Sequence, residues 1–373
     1  MMVKKQTQKY ELLAPAGDFP SLIAAVKAGA DAVYFGLKEF NMRDSAKNFT
    51  LANLKKIREI CNSPPRRVKM YLTLNTIIYD SELAKMENTI KKVKGKIDAI
   101  ICWDLSVIDL CKKYKIPFHV STQASISNSA SAKFYKNLGA ERIILARELN
   151  LKQIKNISKI IDIECFIHGA MCVSISGRCF TSQFLQGRSA NRGQCAHPCR
   201  RAYTIKDEDG YELKLENNRV MSAKDLCTLP FIEKMKQAGI KSFKIEGRMR
   251  GPEYVSTVVS VYRKALNKKL SEQEIAQSLE ELKKVYHKGF SPGFYIRMPT
   301  ADDFSSSKTG EQTQKKILVA RVEKYFPKVQ VAAIKILSGT LKISDNILIL
   351  GNKTGIVQSK IQSMEIDHQK VSE

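Results

Sequence analysis

The sequence predicts an α/β protein: a (β/α)8 TIM-type barrel with a cysteine-bearing insertion after strand seven, plus a small C-terminal antiparallel β-barrel domain. Two observations predict the barrel. Eight short apolar, β-branched runs lie between residues 11 and 247, and segments of helical period separate them. Eight such units over roughly 250 residues fit a closed barrel better than an open doubly wound sheet, which usually has fewer strands and a glycine-rich phosphate turn.

The predicted strands follow one another along the chain. They are Glu11–Ala16, Ala32–Leu37, Val68–Asn75, Ile97–Trp103, Pro117–Gln123, Arg142–Arg147, Ile161–Gly169 and Ser242–Gly247. Helical segments such as SLIAAVKAG and SELAKMENTIKKV lie between them and end near Gly, Pro or charged residues. Barrels of this type carry their chemistry on the loops that follow the strands.

The seventh unit is irregular, because about seventy residues separate Ile167 from the eighth strand. We expect an insertion at about residues 168–240, with a hairpin that turns at Asp209 and Gly210. Two helical stretches, EYVSTVVSVYRKAL and EIAQSLEELKKVY, then complete a barrel unit that spans residues 1–300. A polar linker is expected at 301–316, and four alternating runs predict the small β-barrel domain at 317–373.

The charge balance favours polyanionic partners, since 62 Lys and Arg against 37 Asp and Glu give a net charge of +25. The alternative is a lysine-rich proteome whose lysines only solvate helix faces. The first residues lack the apolar run of a signal peptide, and no stretch approaches the roughly 20 apolar residues of a membrane span. We therefore expect a cytoplasmic location without membrane contact, where clustered cysteines more often bind metal than form disulfides.

One stretch concentrates four cysteines in the spacing C-x6-C-x15-C-x3-C, and a fifth follows downstream. These candidate metal ligands are Cys172, Cys179, Cys195, Cys199 and Cys227. Thiolates select zinc or an iron–sulfur cluster, and the wide first spacing favours the cluster over structural zinc, although simple burial is a further alternative. The other four cysteines lie in apolar runs and are predicted to be core: Cys61, Cys102, Cys111 and Cys165.

No Asp or Glu occurs from Cys165 to Lys206, whereas this stretch is rich in arginine. The arginines that we expect to bind substrate are Arg178, Arg188, Arg192, Arg200 and Arg201. They could balance the charge of a thiolate-ligated cluster, hold phosphates or a carboxylate substrate, or do both.

Further candidates lie at the carboxyl ends of predicted strands. His168 could be an acid, a base or a substrate donor, with a structural histidine as the alternative. Glu246 and Arg248 could orient a substrate in a catalytic role, or could simply pair with each other. Asn75 and Gln123 are weaker candidates for substrate binding.

Three blocks of the sequence resemble the collagenase-like peptidase family U32. They are ELLAPAGDFPSLIAAVKAGADAVYFGL near the start, FIHGAMCVSISGRCFTSQFLQGRSANRGQCAHPCRRAY in the middle and SAKDLCTLPFIEKMKQAGIKSFKIEGRMRGPEYV after it. The tail with GTLKISDNILILG is also similar to the small β-barrel of this family and of the second domain of translation elongation factors.

The resemblance implies hydroxylation, because the better understood members are RNA hydroxylation proteins and an anaerobic ubiquinone hydroxylation pair. The sequence is most similar to the branch that makes 5-hydroxyuridine at the tRNA wobble position, with prephenate as the implied oxygen source. The resemblance also implies a 4Fe–4S cluster on Cys172, Cys179 and Cys195. Its fourth ligand is either Cys199, which we favour, or Cys227.

The residues give some independent support for an RNA substrate, since neither an HExxH helix nor a GxSxG elbow is present for proteolysis. We therefore expect a tRNA hydroxylation enzyme whose partners are tRNA and prephenate or a similar dicarboxylate, and leave open a second subunit of the family. The alternatives are a collagenase-like peptidase and an RNA-binding protein stabilised by zinc.

Overall fold

The eight predicted strands form a closed parallel barrel in the computed structural model, which describes residues 10–44, 46–63, 65–213, 221–307 and 309–373. The strands are β1 Glu11–Pro15, β2 Ala32–Gly36, β3 Lys69–Thr73, β4 Ala99–Cys102, β5 Phe118–Val120, β6 Arg142–Ile144, β7 Asp162–Gly169, β8 Ile205–Lys206, β9 Glu212–Leu213, β10 Asp225–Cys227, β11 Ser242–Ile245, β12 Phe290–Ser291, β13 Ala320–Phe326, β14 Val331–Ile336, β15 Asn346–Gly351, β16 Gly355–Lys360, β17 Met364–Ile366 and β18 Gln369–Val371. Strands β1 to β7 pair in chain order, and β11 pairs with both β7 and β1 to close the barrel. The predicted fold class is confirmed.

Helices separate the barrel strands and cover their outer faces. They are α1 Phe19–Ala28, α2 Leu54–Cys61, α3 Leu83–Val93, α4 Leu105–Tyr114, α5 Ser129–Asn137, α6 Leu151–Ile157, α7 Thr181–Gln186, α8 Ile232–Gln237, α9 Pro252–Asn267 and α10 Glu272–Lys283. Helix α1 begins at Asp18, whose carboxylate accepts a hydrogen bond from the backbone N–H of Ser21 at 3.0 Å. It ends at Gly29, whose φ of 103° lies in the left-handed region that favours glycine.

The core is apolar between strands and helices. Val255, Val258, Val259 and Tyr262 of α9 are completely buried, at the helical spacing expected of a face that packs on the barrel. Burying each such aliphatic side chain stabilises the fold by about 1.5–3 kcal/mol. The described residues include no helix long and apolar enough to cross a membrane.

The barrel interior, by contrast, is charged. Glu164 of β7 has no exposed surface, and its carboxylate lies 2.9 Å from Nζ of Lys244 and 3.3 Å from Nη1 of Arg142. Arg142 also contacts Glu11 at 2.5 Å. The strands of this barrel are therefore tied together by ion pairs as well as by their hydrogen-bond ladders.

The insertion after β7 begins with short helical turns and α7. The predicted hairpin is confirmed, because β8 and β9 pair antiparallel and Gly210 between them has a φ of 88°. Strand β10 then pairs antiparallel with the end of β7 and parallel with β12. The barrel sheet is thus extended at the end where the insertion emerges.

The C-terminal segment is antiparallel, as predicted, and its strands form three two-stranded sheets, β13 with β14, β15 with β16 and β17 with β18. Closure of these sheets into one barrel is not among the described strand pairings. The predicted linker is partly packed on the barrel unit, since Asp303 and Ser305 are buried and the backbone N–H of Ser305 donates to Ser222 at 2.7 Å. The domain boundaries stay predictions.

Candidate functional site

A largely enclosed carboxylate lies at the carboxyl end of the barrel strands. Glu246 follows β11, and its Oε1 lies 3.2 Å from Nη2 of Arg43 in the loop after β2. Its Oε2 lies 3.3 Å from the hydroxyl of Tyr34, which also donates to the carbonyl of Ile245 at 2.9 Å. Two strands, β2 and β11, thus contribute to one polar group at the mouth of the barrel.

The surroundings of Glu246 are strongly positive. Burial opposes its ionisation, but nearby cations outweigh burial and lower its pKa to about 2. These cations are Arg43, Arg147, Arg248 and Lys244. Lys244 is already paired with Glu164, so three arginines lie near a single carboxylate and leave this part of the barrel mouth with an excess of positive charge.

Arg248 is the most enclosed of the three arginines, with 4% of its surface exposed. Its Nη1 donates to Oγ1 of Thr73 at 2.9 Å, and burial lowers its pKa to about 10. Gly17 allows this placement, because a Cβ at that position would lie 2.0 Å from the carbonyl oxygen of Arg248. The site therefore holds a buried guanidinium with a neutral hydrogen-bond partner.

The sequence did not indicate two of these arginines. Arg43 lies in a loop beyond β2, and Arg147 ended a predicted strand without being selected as a site residue. Arg147 lies 3.8 Å from the centre of the Phe166 ring and donates to the carbonyl of Ala170 at 2.8 Å. Their position after a barrel strand was the available signal.

The insertion lies over this mouth. The backbone N–H of Asp44 donates to the carbonyl of Gly193 at 3.1 Å, and Gly193 has a φ of 90°. A Cβ on Gly193 would lie 2.3 Å from the carbonyl oxygen of Asn41, so glycine is required for this close approach.

Three other thiols of the insertion interact electrostatically with Cys199. Burial raises the pKa of Cys199, and the neighbouring thiols add to that rise while Arg200 opposes it. These thiols are Cys172, Cys195 and Cys179. Cys195 also interacts electrostatically with Arg43, so this thiol lies near the charged group around Glu246.

The donor chemistry fits a thiolate-bound metal or cluster, since four thiols occur in a stretch without acidic residues. Within the described ranges, no three Cys, His, Asp or Glu residues form a group that could hold a metal ion. The ligand set therefore stays a prediction.

Cys227 lies apart from these thiols. It is buried in β10, its Sγ is 3.6 Å from the hydroxyl of Tyr262, and burial raises its pKa to about 11. Among the thiols, the largest effects on Cys199 come from Cys172, Cys195 and Cys179. The choice between Cys199 and Cys227 as the fourth ligand stays a prediction.

Comparison with known proteins identifies the family. The model of peptidase family U32 matches residues 17–305. The chain belongs to this family. It is 42% identical over 382 residues to a collagenase of Porphyromonas gingivalis, covering 97% of this chain and 91% of the relative. It is 38% identical to tRNA hydroxylation protein P1 of Bacillus subtilis, covering 79% and 72%. It is 37% identical to the 23S rRNA 5-hydroxycytidine C2501 synthase of Escherichia coli, covering 79% and 46%.

Two arginines of this U32 insertion are engaged within the protein. Arg192 binds the carboxylate of Glu82 through both terminal nitrogens, at 2.5 and 2.7 Å. Arg200 donates to the backbone carbonyls of Ala223 and Met171, both at 2.5 Å. Both side chains hold the insertion in place, and the expectation that these two arginines bind substrate stays a prediction.

The other three predicted arginines are more accessible. Arg178 is exposed and donates to Oγ of Ser125 at 2.8 Å. Arg188 and Arg201 are exposed and make no side-chain hydrogen bond or ion pair to the described residues. These three remain available to an anionic substrate.

His168 lies in an aromatic enclosure. Its ring contacts Tyr254, Tyr262 and Phe290, and its Nδ1 is 3.4 Å from the hydroxyl of Tyr262 on α9. Burial lowers its pKa to about 3, with His287 and Arg250 adding to that effect, so the ring is neutral near pH 7. These surroundings match the structural alternative and give no support to a catalytic role.

The two weaker candidates are buried at strand ends. Oδ1 of Asn75 accepts from the backbone N–H of Met42 at 3.2 Å, and the carbonyl of Asn75 accepts from Nε1 of Trp103 at 2.9 Å. Gln123 accepts a hydrogen bond from the hydroxyl of Ser121. Asn75 supports the loop that carries Arg43. Gln123 instead lines a pocket together with Trp103 and Phe180.

Proposed function

We propose that this U32 protein is an RNA-modifying enzyme that hydroxylates the wobble uridine of tRNA to 5-hydroxyuridine, with prephenate or a similar dicarboxylate as co-substrate. Support comes from relatives that are named as hydroxylation proteins of tRNA and rRNA and match 79% of this chain. The net charge of +25 suits a polyanionic substrate.

The observation that carries the proposal is the group of charges at the barrel mouth, where Arg43, Arg147 and Arg248 lie near the carboxylate of Glu246. A dicarboxylate would bring two negative charges to this excess of positive charge. It would also supply hydrogen-bond acceptors to the guanidinium of Arg248, which is buried away from water. In this role the arginines bind and orient the anion, and Glu246 holds Arg43 in position.

We propose Cys172, Cys179, Cys195 and Cys199 as the ligands of a 4Fe–4S cluster, with zinc as the alternative ion. Such a cluster would supply electron transfer or Lewis acidity near the arginines around Glu246. Iron and sulfide content, with the visible spectrum of anaerobically purified protein, separates the two, because zinc without iron or sulfide would remove the redox proposal.

The test of the function is nucleoside mass spectrometry of tRNA from cells that lack this gene. We expect 5-hydroxyuridine to disappear, the parent chain to restore it, and Arg248→Met to restore at most about a tenth, since a lost charge-assisted contact costs about 1.5–3 kcal/mol. Arg67→Met is the matched control, because Arg67 is exposed and precedes β3 at the opposite end of the barrel. Unchanged tRNA in the deletion strain contradicts the proposal.

A second candidate is a collagenase-like peptidase, favoured by the identity of 42% to a protein named collagenase over 97% of this chain. It predicts cleavage of denatured collagen by the anaerobically purified protein and loss of that cleavage in Cys172→Ser. Absence of cleavage by protein that restores tRNA hydroxylation would exclude it.

A further inference from the structure

A pocket of about 360 Å³ lies beside Cys179. Two aromatic side chains line it, Trp103 after β4 and Phe180 directly before α7. Trp103 is held by its hydrogen bond to the carbonyl of Asn75, whereas 65% of Phe180 is exposed. An aromatic wall that is open to solvent is the usual means of binding unstacked bases of single-stranded RNA.

Two amide side chains lie at the mainly apolar surface of this pocket. Gln123 and Asn191 line it, and each is only 7% exposed. The side-chain oxygen of Gln123 accepts from Ser121, and that of Asn191 accepts from the backbone N–H of Cys179 at 3.1 Å. These bonds fix both amides, and within the described residues neither amide nitrogen has a hydrogen-bond partner.

A cation completes the lining. Arg178 contributes to the wall, and its exposed guanidinium keeps donors beyond its contact with Ser125. The pocket thus combines stacking surface, buried amide donors and a positive charge at its rim. A peptide would need acceptors for its backbone N–H groups as well, and the side chains named here offer none that is free.

We infer that this pocket binds an extruded base with carbonyl acceptors, uracil above all, stacked between Trp103 and Phe180 and hydrogen-bonded by Gln123 and Asn191. The inference rests on the proposed function and names how the RNA is recognised. The base would lie next to Cys179, because Asn191 lines the pocket and its side-chain oxygen accepts from the backbone N–H of Cys179.

Trp103 is the single tryptophan of the chain and reports on the pocket directly. We expect oligouridylate to quench its fluorescence in anaerobically purified protein, and oligoadenylate to do so more weakly. Phe180→Ala should weaken oligouridylate binding about tenfold, as the loss of one base–aromatic stack does. Phe184→Ala is the matched control, because Phe184 is 84% exposed on α7 and does not line the pocket.

The parent, Phe180→Ala and Phe184→Ala must have the same iron content. This control is needed because Phe180 is adjacent to Cys179, a proposed cluster ligand. Equal binding by the parent and Phe180→Ala, or equal quenching by both oligonucleotides, overturns the inference. If tRNA hydroxylation depends on the gene while Phe180→Ala restores it fully, the base pocket is wrong and the function stands. If quenching depends on Phe180 but tRNA is unchanged in the deletion strain, the pocket stands and the function falls. Quenching by a gelatin peptide in place of oligouridylate contradicts both.

Discussion

At the residue scale, Cys199 and Cys227 distinguish two ligand sets that the sequence leaves open. We expect Cys199→Ser to lose most of its iron and sulfide, because this thiol shares its surroundings with Cys172, Cys179 and Cys195. Cys227→Ser should keep both, since Cys227 packs against Tyr262 in β10. Iron and sulfide assays on anaerobically purified variants check this. Loss of iron from Cys227→Ser with full retention by Cys199→Ser would reverse the assignment.

Glu246 makes a prediction about pH. Its pKa in the folded protein is about 2, below the ordinary 4.5, so the ionised carboxylate stabilises the fold above pH 4.5 and that stabilisation is lost as pH falls toward 2. Glu246→Gln should lower the free energy of unfolding at pH 7 by about 1–3 kcal/mol. The difference from the parent should shrink as pH falls from 4.5 toward 2. Urea titrations at several pH values measure it, and a difference independent of pH contradicts the role of this charge.

At the element scale, the ion pair between β7 and β11 tests how the barrel interior is held together. Glu164→Leu leaves Lys244 buried without its carboxylate, and we expect a loss of about 3–5 kcal/mol in the free energy of unfolding. The double variant Glu164→Leu, Lys244→Met removes both charges and should recover part of that loss. Urea unfolding of the three proteins decides it, and a single variant as stable as the parent would show that the pair contributes little.

The elements themselves were largely predictable. All eight barrel strands lie within the predicted runs, because each buried strand is a short apolar run bounded by helical periods. The ends were less predictable. Asn75, Trp103 and Gln123 were placed inside strands but lie beyond them, in the loops where their polar groups reach other elements. The apolar pattern records which residues are buried. It does not record where the hydrogen bonding between neighbouring strands ends.

At the scale of the whole molecule, the charge of +25 predicts salt-sensitive RNA binding. The affinity for tRNA should fall at least tenfold between about 50 and 200 mM salt, because counterions are released from each neutralised phosphate. Arg188→Ala should reduce the slope of log affinity against log salt by about one if this exposed arginine contacts a phosphate. Filter binding across a salt series measures both slopes. Affinity that is insensitive to salt would show that the basic surface is not the RNA-binding surface.

The sequence by itself determined the barrel, the insertion after β7 and the thiols of one basic stretch, because periodicity and spacing are local properties of the chain. Only the tertiary structure decided which charged groups meet. Arg43 reaches Glu246 across 203 residues, whereas Arg192 and Arg200, which look like substrate ligands in the sequence, are bound within the protein. Ion-pair partners that are far apart in sequence are determined by how the loops pack at the barrel mouth. A local sequence pattern contains no information about that packing.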